Sequence, residues 1–325
     1  MNERDVSPLR AHGPRGLEAW IQRHGKGASP ELDALCRQKD AHTSLLYWFT
    51  ELPAAIEEAR RSDKPILSLR LLGNLDEELS CANSRFFRKL LYPDARVNAL
   101  LREGFVLHWE SVRPVPVVTI DFGGGKKLTR TLTGNSVHLV LDSLGRPVDA
   151  LPGLMSPKVF AEQLEQARRL AAADRRELAA LHDQITDAMS RAYPPPMLQP
   201  SALGYPPPML QPPPMMQPSF DQQQQPPPSR AFAASAIAPS KHMGELPILR
   251  VVSPLELDTQ QSVELHRRVH DAFSIGGEWV GANGLGEFVE WIYAELFLMP
   301  LSDPALGLDV PDPFSDLDAA ATPPS

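Results

Sequence analysis

The chain has 325 residues, 42% of them apolar, and a formal net charge of −8. A length of this order allows two or three domains, and the acidic balance argues against a nucleic-acid partner, which needs a basic stripe. Two cysteines, Cys36 and Cys81, exclude a disulfide scaffold and a four-cysteine zinc site. The first twenty residues hold no apolar core of signal-peptide length. No apolar run approaches the roughly 18 residues a membrane span needs, so the expectation is a soluble protein in a reducing cytoplasm.

Residues 1–43 read as a weakly structured lead-in with one helix near Ser29–Lys39, with Ser29 as its N-cap and Pro30 at its first position. Cys36 falls inside that helix and reads as a small buried hydrophobe. "TELPAAIEEARRSDKP" is a helix that must end before Pro65. "PILSLRLLG" is almost continuously apolar, as a strand buried on both faces is. An acidic loop, Asn74–Glu78, leads to a helix over Cys81–Leu91, and a shorter one runs from Asp94 to Glu103. "FVLHWESV" and "VPVVTIDFG" are strands. "FGGGKK" is a hairpin turn before "LTRTLTG", and it lacks the G-x-x-x-x-G-K-[ST] pattern of a phosphate loop. "SVHLVLD" and "PVDALPG" make a second hairpin across Ser143–Arg146. One long helix opened by Ser156 and Pro157 then reaches about residue 191.

The composition changes sharply there. Of 34 prolines, 15 fall between Tyr193 and Pro239, in a stretch with the near-repeat "YPPPMLQP". Such a segment cannot bury enough surface to offset its chain entropy, and residues 192–240 read as a disordered Pro/Gln-rich linker in extended polyproline form. A PxxP-type ligand is the functional alternative. Residues 243–308 read as a small acidic helical unit, with helices over "DTQQSVELHRRVHDAFS" and "GLGEFVEWIYAELFLMP", and 309–325 as a tail. Residues 243–325 hold 3 Lys/Arg against 14 Asp/Glu, while 44–172 hold 17 against 15. A weak, salt-screened attraction between the two parts would follow.

The order helix, strand, cysteine-helix, strand, hairpin, helix resembles a thioredoxin-like domain. The likeness is carried by "YWFTELPAAIEEARRSDKPILSL" and by "SVHLVLDSLGRPVDALPGLMSPKVFAEQL", about 125 residues in all. "LRLLGNLDEELSCANSRFFRKLLYPD" and "WIYAELFLMPLSDPALGL" resemble a narrower bacterial group with a C-x-x-S motif. The resemblance implies an α/β three-layer sandwich over residues 44–191, with Cys81 where the family's C-x-x-C motif lies and Ser84 in place of its second cysteine. Exchange would then be monothiol, through a mixed disulfide with glutathione or a protein thiol. No cofactor is implied. The family's cis-proline position is taken by Ser136, which leaves ordinary disulfide-exchange geometry in doubt, and His138 follows two residues later.

The physical chemistry leaves Cys81 open. Unpaired amides and the macrodipole at a helix start favour a thiolate. Asp76, Glu77 and Glu78 oppose that, while Arg85 and Arg88 assist it. Two readings follow: a reactive or redox-sensing thiol with Cys81 and Ser84 as its chemistry, or an inert cysteine in a degenerate binding or adaptor module. Asn83, Arg85, Ser136 and His138 line the site in either case.

Elsewhere, "WIYAELFLMP" reads as core for the helical unit, or as a docking face at 284–300 for a partner or for the thioredoxin-like domain. His266 and His270 have the i, i+4 spacing of paired metal ligands, but Arg267 and Arg268 lie between them and no further ligand spacing accompanies them. They read as a solvated or partly packed helix face, and no metal site is expected. No G-x-S-x-G or catalytic triad is visible.

Overall fold

Prolines open the first three helices: Ser7–Arg10 (α1), Pro14–His24 (α2) and Pro30–Cys36 (α3). At a first helical turn the missing N–H costs nothing. The computed structural model describes residues 6–131, 134–192, 252–274 and 284–306. The lead-in is therefore more ordered than its sequence led us to expect. The helix capped by Ser29, whose Oγ accepts from the Leu32 amide at 3.0 Å, is joined by two others. Leu17 and Trp20 of α2 bury with Leu32, Leu35, Cys36 and Tyr47 in a small core of their own. The linker read over 192–240 and the tail over 309–325 lie outside the described residues, apart from the helical end at 192.

Leu52–Ser62 (α4) ends where Asp63 turns left-handed at φ 53°. Ile66–Leu72 (β1) is buried along its whole length. Ala82–Phe86 (α5) runs on into a single wider π-type turn, Phe87–Leu91. Ala95–Gly104 (α6) is capped by Asp94, which accepts from the amides of Arg96 and Val97. Val106–Arg113 (β2) follows, and then Val117–Asp121 (β3) and Lys127–Thr131 (β4), which form a separate hairpin. Ser136–Leu141 (β5) and Pro147–Pro152 (β6) are joined by a turn that Asp142 organises by accepting from the amides of Leu144 and Arg146.

The long helix expected after Ser156 is two helices, Pro157–Ala172 (α7) and Arg175–Ala192 (α8). Ala173 is extended, and Asp174 starts a new helix by accepting from the Arg176 amide at 2.9 Å. The aspartate competes for the backbone as a cap, which an unbroken pattern of helix formers conceals. Val252–Phe273 (α9) and Leu285–Trp291 (α10) complete the helices, and a π-type turn, Ile292–Leu296, extends α10.

The chain is mixed α/β, with a central four-stranded sheet in the order β2-β1-β5-β6. β1 runs parallel to β2 and antiparallel to β5, and β5 is antiparallel to β6. Because side chains alternate along a strand, β1 feeds two cores. Leu67, Leu69 and Leu71 bury against α5, α6 and α7, with Phe87, Leu101 and Phe160. Ile66, with Val137, Leu139 and Leu141 of β5, faces the other way.

That second face explains the helical unit expected at 243–308. Its apolar residues do not form a core of their own. Val269, Phe273, Phe288, Ile292, Tyr293 and Leu296 bury with Ala55 and Ala59 of α4 against the sheet. A Cβ at Gly153 would lie 2.5 Å from the Ser262 Oγ, so the backbone after β6 and α9 approach as closely as only glycine allows. Arg113 adds hydrogen bonds to the carbonyls of Asp303 and Pro304 at 2.7 and 3.1 Å. Of the two readings of the 284–300 stripe, the described residues follow the one in which it docks on the sheet of this chain. Among the described residues no helix is long and apolar enough to cross a membrane.

Phe288 is fully buried between the two parts. Phe288→Ala should cost about 3–5 kcal/mol and shift one cooperative urea transition as a whole. A second, separate transition would mean that 252–306 folds independently.

Candidate functional site

Cys81 is the N-cap of α5, immediately after the loop that leaves β1. Its backbone N–H donates to the Leu72 carbonyl at 3.3 Å, which ties the helix mouth to the end of the strand. The nearby amides of Ser84 and Asn83 favour its thiolate, as a helix start should, although the side chain makes no cap hydrogen bond. Burial is the larger effect, however, and raises the thiol above its ordinary value. The residue is fully buried and belongs to the main core. At neutral pH the sulfur is protonated and enclosed.

The loop before β5 does reach the helix mouth. A Cβ at Gly134 would sit 2.9 Å from the Ala82 nitrogen. Ser136 is buried, lies opposite Leu71 of β1, and has an Oγ with no hydrogen-bond partner. His138 lies opposite Leu69 and points into the core, where its Nε2 meets the Tyr92 hydroxyl at 2.8 Å. Phe87 and Phe160 pack on its ring, at centroid distances of 4.7 and 4.9 Å. Burial holds this imidazole down to about 3, so it is neutral. Asn83 is buried and Arg85 half-buried. Ser84 bonds the Ser80 hydroxyl and the Cys81 carbonyl, at 2.6 and 2.8 Å. The six site residues read from the sequence thus lie on the two segments that meet here, but as a packed polar seam rather than an open cleft.

Sequence reasoning missed what covers the seam. The Tyr293 hydroxyl reaches the Asn135 carbonyl at 3.3 Å, and the Asn135 side-chain amide meets the Met299 sulfur at 2.9 Å. Both Tyr92 and Tyr293 are raised well above the ordinary phenol value, by burial and then by the nearby Cys81. Arg88, read as an assisting charge, is itself fully buried and pairs with Asp40 at 3.5 Å. Cys36 is buried too, its thiol pushed up to about 12 mainly by desolvation. A cleft of about 280 Å³ lies elsewhere, between α2, α4 and β2, lined by residues such as Tyr47, Arg61 and Arg102. None of the groups around Cys81 borders it, so the cavity and the thiol are unrelated.

His266 and His270 require a correction. Rather than facing solvent, both are fully buried, with Asp149 and His182 beside them. The i, i+4 spacing was visible in the sequence, and Asp149 was a polar residue inside an otherwise apolar strand. Only the fold brings them together. The chain matches no protein-family model and no curated protein.

Stability should carry the signature of the buried imidazoles. Unfolded His138 takes a proton near its ordinary value of about 6.5, whereas the folded one takes it only near 3. The unfolded chain therefore binds more protons between these values, and stability falls as pH is lowered through that window. The urea midpoint should drop on acidification from pH 6.5 toward 4. In His138→Gln, which can still bond Tyr92, that slope should be shallower, and an unchanged slope would contradict the assignment.

Proposed function

We propose that the chain is a thioredoxin-like binding module in which Cys81 is structural and disulfide exchange has been lost. The thioredoxin-like reading is supported by the strand order β2-β1-β5-β6, by its parallel and antiparallel pairings, and by a cysteine at the mouth of the helix after β1. A binding role is favoured over chemistry by one observation: the segment 293–299 of the same chain lies on Asn135, over the loop that faces Cys81. In the fold the chain resembles, that loop faces the cysteine, so a ligand of the cysteine site would lie against it. Here the chain's own C-terminal segment takes the place of such a ligand.

The closed seam explains why the remaining requirements of exchange are missing together. Monothiol exchange with glutathione or a protein thiol needs an exposed thiolate. Cys81 is buried and protonated, and Ser84 supplies no resolving thiol. A protein partner is the ligand class that suits this fold. It would act on the covering segment or on the surface around it, while the sulfur stays enclosed.

Two measurements test this. The native protein should show negligible iodoacetamide labelling of Cys81, with a rate that rises only as urea populates the unfolded chain, and no mixed disulfide with oxidised glutathione in intact-mass spectra. Met299→Ala should speed the labelling of Cys81 by more than its loss of global stability accounts for. Labelling of the wild type at the rate of an exposed thiol would restore the redox reading. Equal labelling in Met299→Ala, after correction for stability, would remove the covering role.

A further inference from the structure

The buried cluster at the β6 edge of the sheet carries chemistry that neither the fold nor the Cys81 seam explains. Asp149 comes from β6, His182 from α8, and His266 and His270 from α9. All four are fully buried, and ligand atoms of Asp149, His266 and His270 lie within 4.8 Å of one another. We propose that Asp149, His266 and His270, with His182 hydrogen-bonded behind His270, form a structural site for a divalent transition-metal ion, with zinc the best-fitting choice.

The donor atoms support this one by one. His182 Nε2 lies 3.0 Å from the Val148 carbonyl and donates to it. That bond fixes the tautomer and leaves a lone pair on Nδ1, placed to accept the outer hydrogen bond of a metal-bound His270. The lone pair faces His270 Nδ1 at only 2.6 Å. His266 Nε2 is 2.9 Å from Asp149 Oδ1. The second carboxylate oxygen, Oδ2, is buried with no partner, and so is His266 Nδ1. A hydrogen-bonded cluster alone leaves Asp149 Oδ2 orphaned, at a cost that buried polar groups rarely carry.

Distances and ligand type select the ion. Ordinary Zn–N and Zn–O bonds of about 2.0–2.2 Å put neighbouring tetrahedral ligand atoms roughly 3.3–3.5 Å apart. The three ligand atoms lie within 4.8 Å of one another, and the His266 Nε2–Asp149 Oδ1 pair, at 2.9 Å, opens by under about 1 Å to reach that spacing. Two imidazoles and one carboxylate suit zinc or its transition-metal neighbours and not magnesium or calcium, which prefer oxygen shells. Full burial of the three ligands leaves no position for a substrate, so the role is structural. The ion would fasten α9 to β6 and, through the His182 hydrogen bond, to α8, bridging residues 117 and 88 positions apart in sequence. A clip across such a separation removes the entropy of a long loop.

The experiment uses the full, untagged chain. Zinc should be present at one ion per chain by elemental analysis, and stripping with a chelator should lower the melting temperature. One equivalent of Zn²⁺ should restore it. Co²⁺ in place of zinc should give the visible absorption of a tetrahedral N/O site. Asp149→Asn and His182→Gln keep the side-chain shapes and should weaken Zn²⁺ by at least about 10-fold in competition with a chromophoric chelator. Should these variants fail to fold, the stripped and reloaded wild type decides alone. A wild-type chain whose melting temperature ignores stoichiometric Zn²⁺, and which shows no tetrahedral Co²⁺ band, would make the cluster a hydrogen-bond network only and overturn the proposal.

Discussion

The two-sided burial of β1 is the constraint on which the rest depends. Every residue from Ile66 to Leu72 is inside, and a strand hidden on both faces needs two covers. The first is local: α5, α6 and α7 follow within about one hundred residues of β1 and supply the core that holds Leu67, Leu69 and Leu71. The second is not. α4 contributes little more than Ala55 and Ala59, and the aromatic bulk over Ile66, Val137 and Leu139 comes from Phe273, Phe288 and Tyr293. Burying a large apolar side chain contributes about 1.5–3 kcal/mol. Joining the two parts is therefore worth far more than the salt-screened attraction between their net charges.

The same docking decides the state of Cys81. A helix mouth supplies amides that lower a thiol, and those amides are present. They act on a sulfur enclosed by Tyr92, by the Asn135 loop and, over that loop, by Tyr293 and Met299. Desolvation of an anion exceeds what a few hydrogen bonds return unless the pocket is open to water or a cation sits beside it. Arg88 might have been that cation by sequence position, but it is spent on Asp40 and Ser80. Ser84 adds no second thiol beside Cys81, and the seam is closed.

The polar groups buried at the β6 edge follow a different logic. A carboxylate and three imidazoles inside a protein are expensive unless something binds them together. They lie where the segment after the proline-rich stretch meets the first part of the chain, so the site and the docking of α9 are one arrangement. The close approach of α9 at Gly153 brings its His266–His270 face onto Asp149, and α8 adds His182 from the other side.

By itself the sequence determined most of what acts within a few residues. β1 showed as an unbroken apolar run. The caps at Ser29, Asp94 and Ser156 and the turn at Asp142–Arg146 lie where their side chains can reach nearby amides. Cys81 also falls at a helix mouth, although its side chain makes no cap hydrogen bond. The break at Ala173 escaped because Asp174 competes with an otherwise uniform helical pattern, and α2 because its small core is completed only by α3 and Tyr47. The tertiary structure alone decided that Cys81 is enclosed, that Tyr293 covers the Asn135 loop, and that His266 and His270 turn inward to Asp149. Periodicity and capping are local, but whether a side chain meets water depends on a segment more than a hundred residues away, and no local pattern encodes that encounter.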